Sequence, residues 1–155
     1  MSQVAAGAEC ARGRPVFWLL ALLWRGVIFA ASSVEGGGGG EKSFLFIFLS
    51  NGMHAAVHGI LAFFIALAVP RSRGSLLVAL LMTVVLGASD EMHQFFVPGR
   101  TPSFLDWCTD IFGALFGVLA RLWLSARREE RPLLWLLLGL SVLFASATAL
   151  AESLH

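Results

Sequence analysis

The chain is a succession of apolar stretches close to bilayer length, broken by short polar segments. A helix needs about 20 mostly apolar residues to cross a hydrocarbon core. By that measure, spans are predicted at about 15–33, 53–69, 75–96, 104–126 and 132–151. Local chemistry sets their limits. Pro70-Arg71-Ser72-Arg73 stops the second span. Val97 precedes Pro98, is pushed out of the helical region and closes the third. Pro132 suits the first turn of the fifth. Residues 44–49 are apolar but few, and Asn51-Gly52 follows them. They read either as an interfacial or re-entrant piece or as an early start to the second span. Residues 36–40 are all glycine, a flexible linker with no phosphate-binding partner motif. The fold class expected is all-α, a polytopic membrane bundle of about five transmembrane helices in a single domain covering 1–155.

Composition supports this and removes other classes. The 155 residues are 57% hydrophobic and 14% charged, with a mean hydropathy of +0.79. Soluble domains average roughly 45–50% apolar and about 25% charged. The net charge of +1 sets up no global field for nucleic acid. Zinc fingers, basic aromatic stripes and Walker-type loops are absent from the sequence, so nucleic acid is not an expected partner and membrane lipid is. Cys10 and Cys108 fall far apart in the expected topology, which argues against a disulfide framework. The N-terminus has features of a cleavable signal: Arg12 and Arg14, an apolar run over 16–24, and Ala30-Ala31-Ser32. Apolar character resumes after Arg25 and reaches spanning length, which favours a retained first span.

Positive charge predicts orientation. In five spans, Arg12, Arg14, Arg71, Arg73, Arg127, Arg128 and Arg131 fall on one side, and Lys42 and Arg100 on the other. The first side is expected to be cytoplasmic, with the N-terminus inside and the C-terminus outside. Trp18, Trp123 and Trp135 then fall near the inner interface and Trp107 near the outer, while Trp24 fits neither belt.

Charged groups at membrane depth are costly and mark sites. Ser89-Asp90-Glu91-Met92-His93-Gln94 ends the third span, Arg100 lies in the turn, and Asp106 and Asp110 begin the fourth. His54 starts the second span at the same outer level. Helical spacing puts His93 and Gln94 on the face of Asp90. Asp90, Glu91 and His93 are the candidate catalytic groups, since carboxylates crowded in a poorly solvated site suit acid–base work. Gln94, Arg100, Asp106, Asp110 and His54 are the candidate ligand-binding groups.

Each residue has a structural alternative. Ser103-Phe104-Leu105-Asp106 has capping-box spacing. Arg100 either contacts headgroups or bridges Asp90 or Asp106. His54 and His58 share a face and also read as packing histidines. Gly113 and Gly117 read as a close-packing stripe that would hold Asp110 against the third span. Arg25, in mid-span, costs about 2.5–3.5 kcal/mol on insertion scales, relieved by snorkelling or by pairing with Asp110 or Glu91. Arg121 snorkels at the inner end. Oxygen and nitrogen donors for a metal are present in Asp90, Glu91, His93, Asp106, Asp110 and His54. No H-E-x-x-H or similar spacing selects among them, so no metal ligand is assigned. No Ser–His–Asp order is defined by spacing, and no cofactor is indicated.

These residues resemble the VanZ-like family of bacterial membrane proteins. The resemblance is carried by Ser89-Asp90-Glu91-x-His93-Gln94, then Phe96-Val97-Pro98-Gly99-Arg100-Thr101-x-Ser103, then Asp106-x-x-x-Asp110-x-x-Gly113 and Gly117. It covers about 29–120. The second span departs from the family pattern. Ser50 and Asn51 stand where Asp and Lys are usual, His54 fits the family histidine, and His58 occupies an aromatic slot. The resemblance implies a compact helical bundle in the bacterial cell envelope with no assigned cofactor. It also implies a link to teicoplanin resistance, and hence a cell-wall precursor or glycopeptide as a partner. It supplies no reaction. The expected function is an outward polar pocket that binds or modifies an envelope component. A non-catalytic scaffold or ligand-binding protein is the first alternative, and a small transporter or proton pathway the second. Few polar groups on the inner half disfavour transport.

Overall fold

The computed structural model describes residues 14–35, 44–70 and 72–152. These residues form five α-helices and no strand: α1 Pro15–Ser32, α2 Phe44–Ala68, α3 Arg73–Gln94, α4 Phe104–Trp123 and α5 Arg131–Glu152. The glycine linker, Lys42, Cys10, Arg12 and Arg71 lie outside the described residues.

Local chemistry explains the helix ends. Pro15 sits in the first turn of α1, where a missing N–H costs nothing. Ser72 caps α3 by accepting from Ser75 N at 3.0 Å. Ser103 caps α4 by accepting from Leu105 N at 3.2 Å and Asp106 N at 3.3 Å. Gly99, at φ 73°, supplies the left-handed residue that turns the chain between α3 and α4. Residues 44–49 are an early start to α2. Asn51-Gly52 does not interrupt the helix.

The expected helix partnership is partly replaced. α3 and α4 form an antiparallel hairpin, tied by Trp107 Nε1 donating to Val84 O at 3.1 Å. The closest crossing, however, joins α2 to α4. A Cβ on Gly113 would run into the Ala55 carbonyl, and one on Gly117 into the Gly59 carbonyl. The glycine stripe therefore holds Asp110 against the second span. Small residues lie on both helices here, which allows backbone approach.

α2 and α4 form the centre, with α1 on α2 and α3, and α5 on α4 and α2. The outer helices α1, α3 and α5 are each long and apolar enough to cross a membrane, and only a minority of their residues are buried. Leu22, Val85 and Leu143 typify the surface they expose. Hydrocarbon is the solvent such a surface requires. Polar residues of α4 turn inward, with Asp110 and Arg121 both buried. An apolar groove of about 640 Å³ runs between α2, α4 and α5, walled by Phe63, Phe112, Phe116 and Val142.

Successive helices run antiparallel. Arg14 N donates to Ala68 O at 3.1 Å, joining the start of α1 to the end of α2. Thr109 and Thr148 hydroxyls meet at 2.7 Å, joining the first half of α4 to the last half of α5. One end of the bundle therefore gathers Arg14, Arg73, Arg127, Arg128 and Arg131, and the other the polar cluster. At the arginine-rich end Trp123 meets Trp135 edge-on at 5.5 Å, with Arg131 over the Trp123 ring. Trp24, which fitted no interfacial belt, packs inside and donates to Val57 O at 2.9 Å.

Candidate functional site

Asp90 is the hub of the polar end. Its carboxylate is 1% exposed and accepts from three side chains, two on α1 and one on α3 itself. Arg25 Nη1 reaches Oδ1 at 2.8 Å. Ser32 Oγ donates to Oδ2 at 2.6 Å, and Gln94 Nε2 to Oδ2 at 3.3 Å. Arg25 Nη2 also donates to Ser89 Oγ at 3.1 Å. Arg25 and Ser32 are two helical turns apart on α1, so one face delivers both. Arg25 thus pairs with Asp90, and not with Asp110 or Glu91 as expected. Asp90 lies directly across from α1, whereas Glu91, one residue on, is rotated toward α4.

Glu91 serves the helix start across the hairpin. Its Oε2 accepts from Ser103 N at 2.8 Å. In a capping box that N–H is returned to the residue three positions on, here Asp106. A carboxylate from α3 takes it instead. Asp106 is half-buried in the first turn of α4.

His93 and Arg100 both turn toward the end of α1. His93 Nε2 lies 2.9 Å from Ser33 Oγ, and its ring stacks on Phe29 at 4.3 Å. Arg100 Nε donates to Val34 O at 3.1 Å and Nη2 to Ala31 O at 3.3 Å. Ala31 O is a late carbonyl of α1 and Val34 O lies just beyond its end, the end of a helix that favours a cation. Arg100 bridges neither Asp90 nor Asp106; it donates to carbonyls at the end of α1 and just past it. Among the described residues Arg100 forms no ion pair.

A second group joins α2 to α4. Asp110, 1% exposed, comes from α4, and His54 and His58 come from α2. His58 Nδ1 is 2.8 Å from Asp110 Oδ1, and His54 Nδ1 is 3.5 Å from the same oxygen. The two rings lie nearly parallel, at 13°, with centroids 6.5 Å apart. Gly87 of α3 leaves room for this carboxylate: a Cβ there would stand 3.1 Å from Asp110 Oδ2.

A cavity of about 190 Å³ joins the two groups. Ser32, His54, His58, Asp90, Gln94 and Arg100 supply its polar lining. The sequence-predicted residues Asp90, Gln94, Arg100 and His54 therefore meet at one hollow. Glu91, Asp106, Asp110 and His93 are not part of its lining. Three contributors escaped the sequence reading as site residues: Arg25, Ser32 and His58. The available signals were an arginine in mid-span with a serine two turns on, and two histidines at i, i+4.

A family model described as VanZ/LLP1 matches residues 17–125. That range takes in nearly all of α1 and the whole of α2, α3 and α4, the four helices that build the site. Neither curated proteins nor solved structures give a match.

Proposed function

The chain belongs to the VanZ/LLP1 family, and on that premise we propose that its polar chamber binds or modifies an anionic, lipid-linked component at the outer face of the bacterial envelope. One observation carries this reading. Arg25 and Asp90 cancel each other at 2.8 Å, while Arg100 lines the same cavity, held by two backbone carbonyls and by no carboxylate among the described residues. A guanidinium fixed by neutral acceptors keeps its full charge for an incoming anion, and its planar fork suits phosphate or carboxylate.

The setting agrees with a ligand that is part lipid. The chamber opens at one end of a bundle whose outer helices expose apolar side chains. The opposite end carries Arg14, Arg73, Arg127, Arg128 and Arg131, which by the positive-inside rule supports reading that end as cytoplasmic. The N-terminus is then inside, the C-terminus outside, and the chamber faces the surface where glycopeptides meet cell-wall precursors. A link to teicoplanin resistance follows from that placement together with the family resemblance.

The experiment is lipid analysis of the purified full chain and of Arg100→Gln by native mass spectrometry. Wild type should carry an anionic lipid-linked species that Arg100→Gln loses. Equal lipid content in the two proteins sinks the reading. Mass spectrometry of envelope extracts from cells with and without the protein then separates binding from modification: altered precursors mean chemistry, and unaltered ones mean capture.

A further inference from the structure

We infer that His54, His58 and Asp110 form a binding site for one divalent transition-metal ion. The inference does not depend on what occupies the chamber above.

Sequence spacing begins the argument. His54 and His58 are four apart on α2, so both rings leave the same face of one helix. Packing supplies the third donor. The contacts of Ala55 with Gly113 and of Gly59 with Gly117 fix the register of α2 against α4. Each of these α2 residues directly follows one of the histidines, and Asp110 lies one turn before Gly113. Locking the helices together therefore sets the donor geometry. One ligand atom from each of the three residues lies within 4.8 Å of the others. The separations from Asp110 Oδ1, 2.8 Å to His58 and 3.5 Å to His54, bracket the edge of about 3.3 Å expected for tetrahedral ligands at roughly 2.0–2.1 Å from zinc.

Unsatisfied polar atoms point the same way. Asp110 and His58 are 1% and 0% exposed. Asp110 Oδ1 stands against the two imidazoles at ion-pair distance, and neither Asp110 Oδ2 nor His54 Nδ1 has a hydrogen bond among the described residues. Asp90, equally buried, accepts three. Buried polar atoms without such bonds are uncommon and call for a partner. Two imidazole nitrogens and one carboxylate oxygen suit zinc, cobalt or manganese better than magnesium or calcium. Three protein ligands leave a coordination position open, and both histidines line the 190 Å³ cavity from which it could be filled. The competing arrangement is a bare His–Asp pair, in which the His58 Nδ1 proton is shared with the His54 carbonyl at 3.2 Å.

The test uses the untagged full chain in detergent, stripped with chelator and reloaded with Co²⁺ or Zn²⁺. One equivalent should bind, and Co²⁺ should give the intense visible d–d bands of a low-coordinate nitrogen–oxygen site. His54→Ala, His58→Gln and Asp110→Asn should each weaken binding by more than about 100-fold, since even loss of an outer-sphere partner costs 10–100-fold. Gly139→Ala, with open space around it, should bind as wild type. X-ray absorption of zinc-loaded wild type keeps the inference testable if the variants fail to fold, and it should show two imidazoles. Failure to bind either ion, binding unchanged in the three variants, or a metal shell without imidazole overturns the inference.

Discussion

Arg25 and Asp90, 65 positions apart in the chain, meet at 2.8 Å inside the bundle and tie α1 to α3. The arginine is 18% exposed and the aspartate 1%. Removing one member of such a pair strands the other charge, which costs about 3–5 kcal/mol. Arg25→Leu is therefore expected to lower the midpoint of thermal unfolding in detergent markedly. The double variant Arg25→Leu with Asp90→Leu should recover much of the loss. A double variant no better than Arg25→Leu alone would show that the pair is not coupled.

The helix crossing makes a sharper prediction. Gly→Ala in a helix interior is normally favourable by about 1 kcal/mol. Gly139→Ala should follow that rule, because nothing lies within 4 Å of its Cβ position. Gly113→Ala and Gly117→Ala should do the reverse and destabilise strongly, because a methyl there meets the backbone of α2. Unfolding midpoints of the three variants, compared in one detergent, check the contrast. Gly113→Ala as stable as Gly139→Ala would refute the crossing.

Glu91 and Ser103 divide the capping of α4. Ser103→Ala should cost about 1 kcal/mol, the usual value of a serine cap. Glu91→Gln keeps an acceptor for Ser103 N, and Glu91→Ala does not. Amide hydrogen exchange over 103–107 should therefore speed up in Glu91→Ala and stay close to wild type in Glu91→Gln. Equal exchange in the two variants would exclude Glu91 as the acceptor.

Sidedness can be read directly. With Cys10 and Cys108 replaced, an impermeant maleimide should label Thr101→Cys in intact cells. It should label Arg128→Cys only after the membrane is opened. The opposite pattern would put the chamber on the cytoplasmic side and remove the basis for a glycopeptide connection.

The variants Asp90→Asn, Arg100→Gln and Asp106→Asn test the functional reading in cells. In a strain that relies on this protein for an envelope or glycopeptide phenotype, Arg100→Gln should lose that phenotype while retaining wild-type protein levels. If all three leave the phenotype intact, the chamber is not the functional site.

The sequence by itself determined that five helices form, because bilayer-length apolar runs and their proline and serine breaks are local signals, while the start of α2 at Phe44 was left open until the structure showed one continuous helix. It also determined the fold class and the family motif. Asp90, Gln94, Arg100 and His54 could be singled out as polar groups in apolar surroundings, which composition alone makes conspicuous. Partners were a different matter. Arg25 choosing Asp90, Arg100 choosing the α1 carbonyls, and Glu91 capping α4 depend on how each helix is rotated and how far it is shifted along its neighbour. Those degrees of freedom are set by the Gly113–Ala55 and Gly117–Gly59 contacts between segments distant in sequence. Only the tertiary structure, by pressing two backbones together at those points, brought Asp110 to His54 and His58.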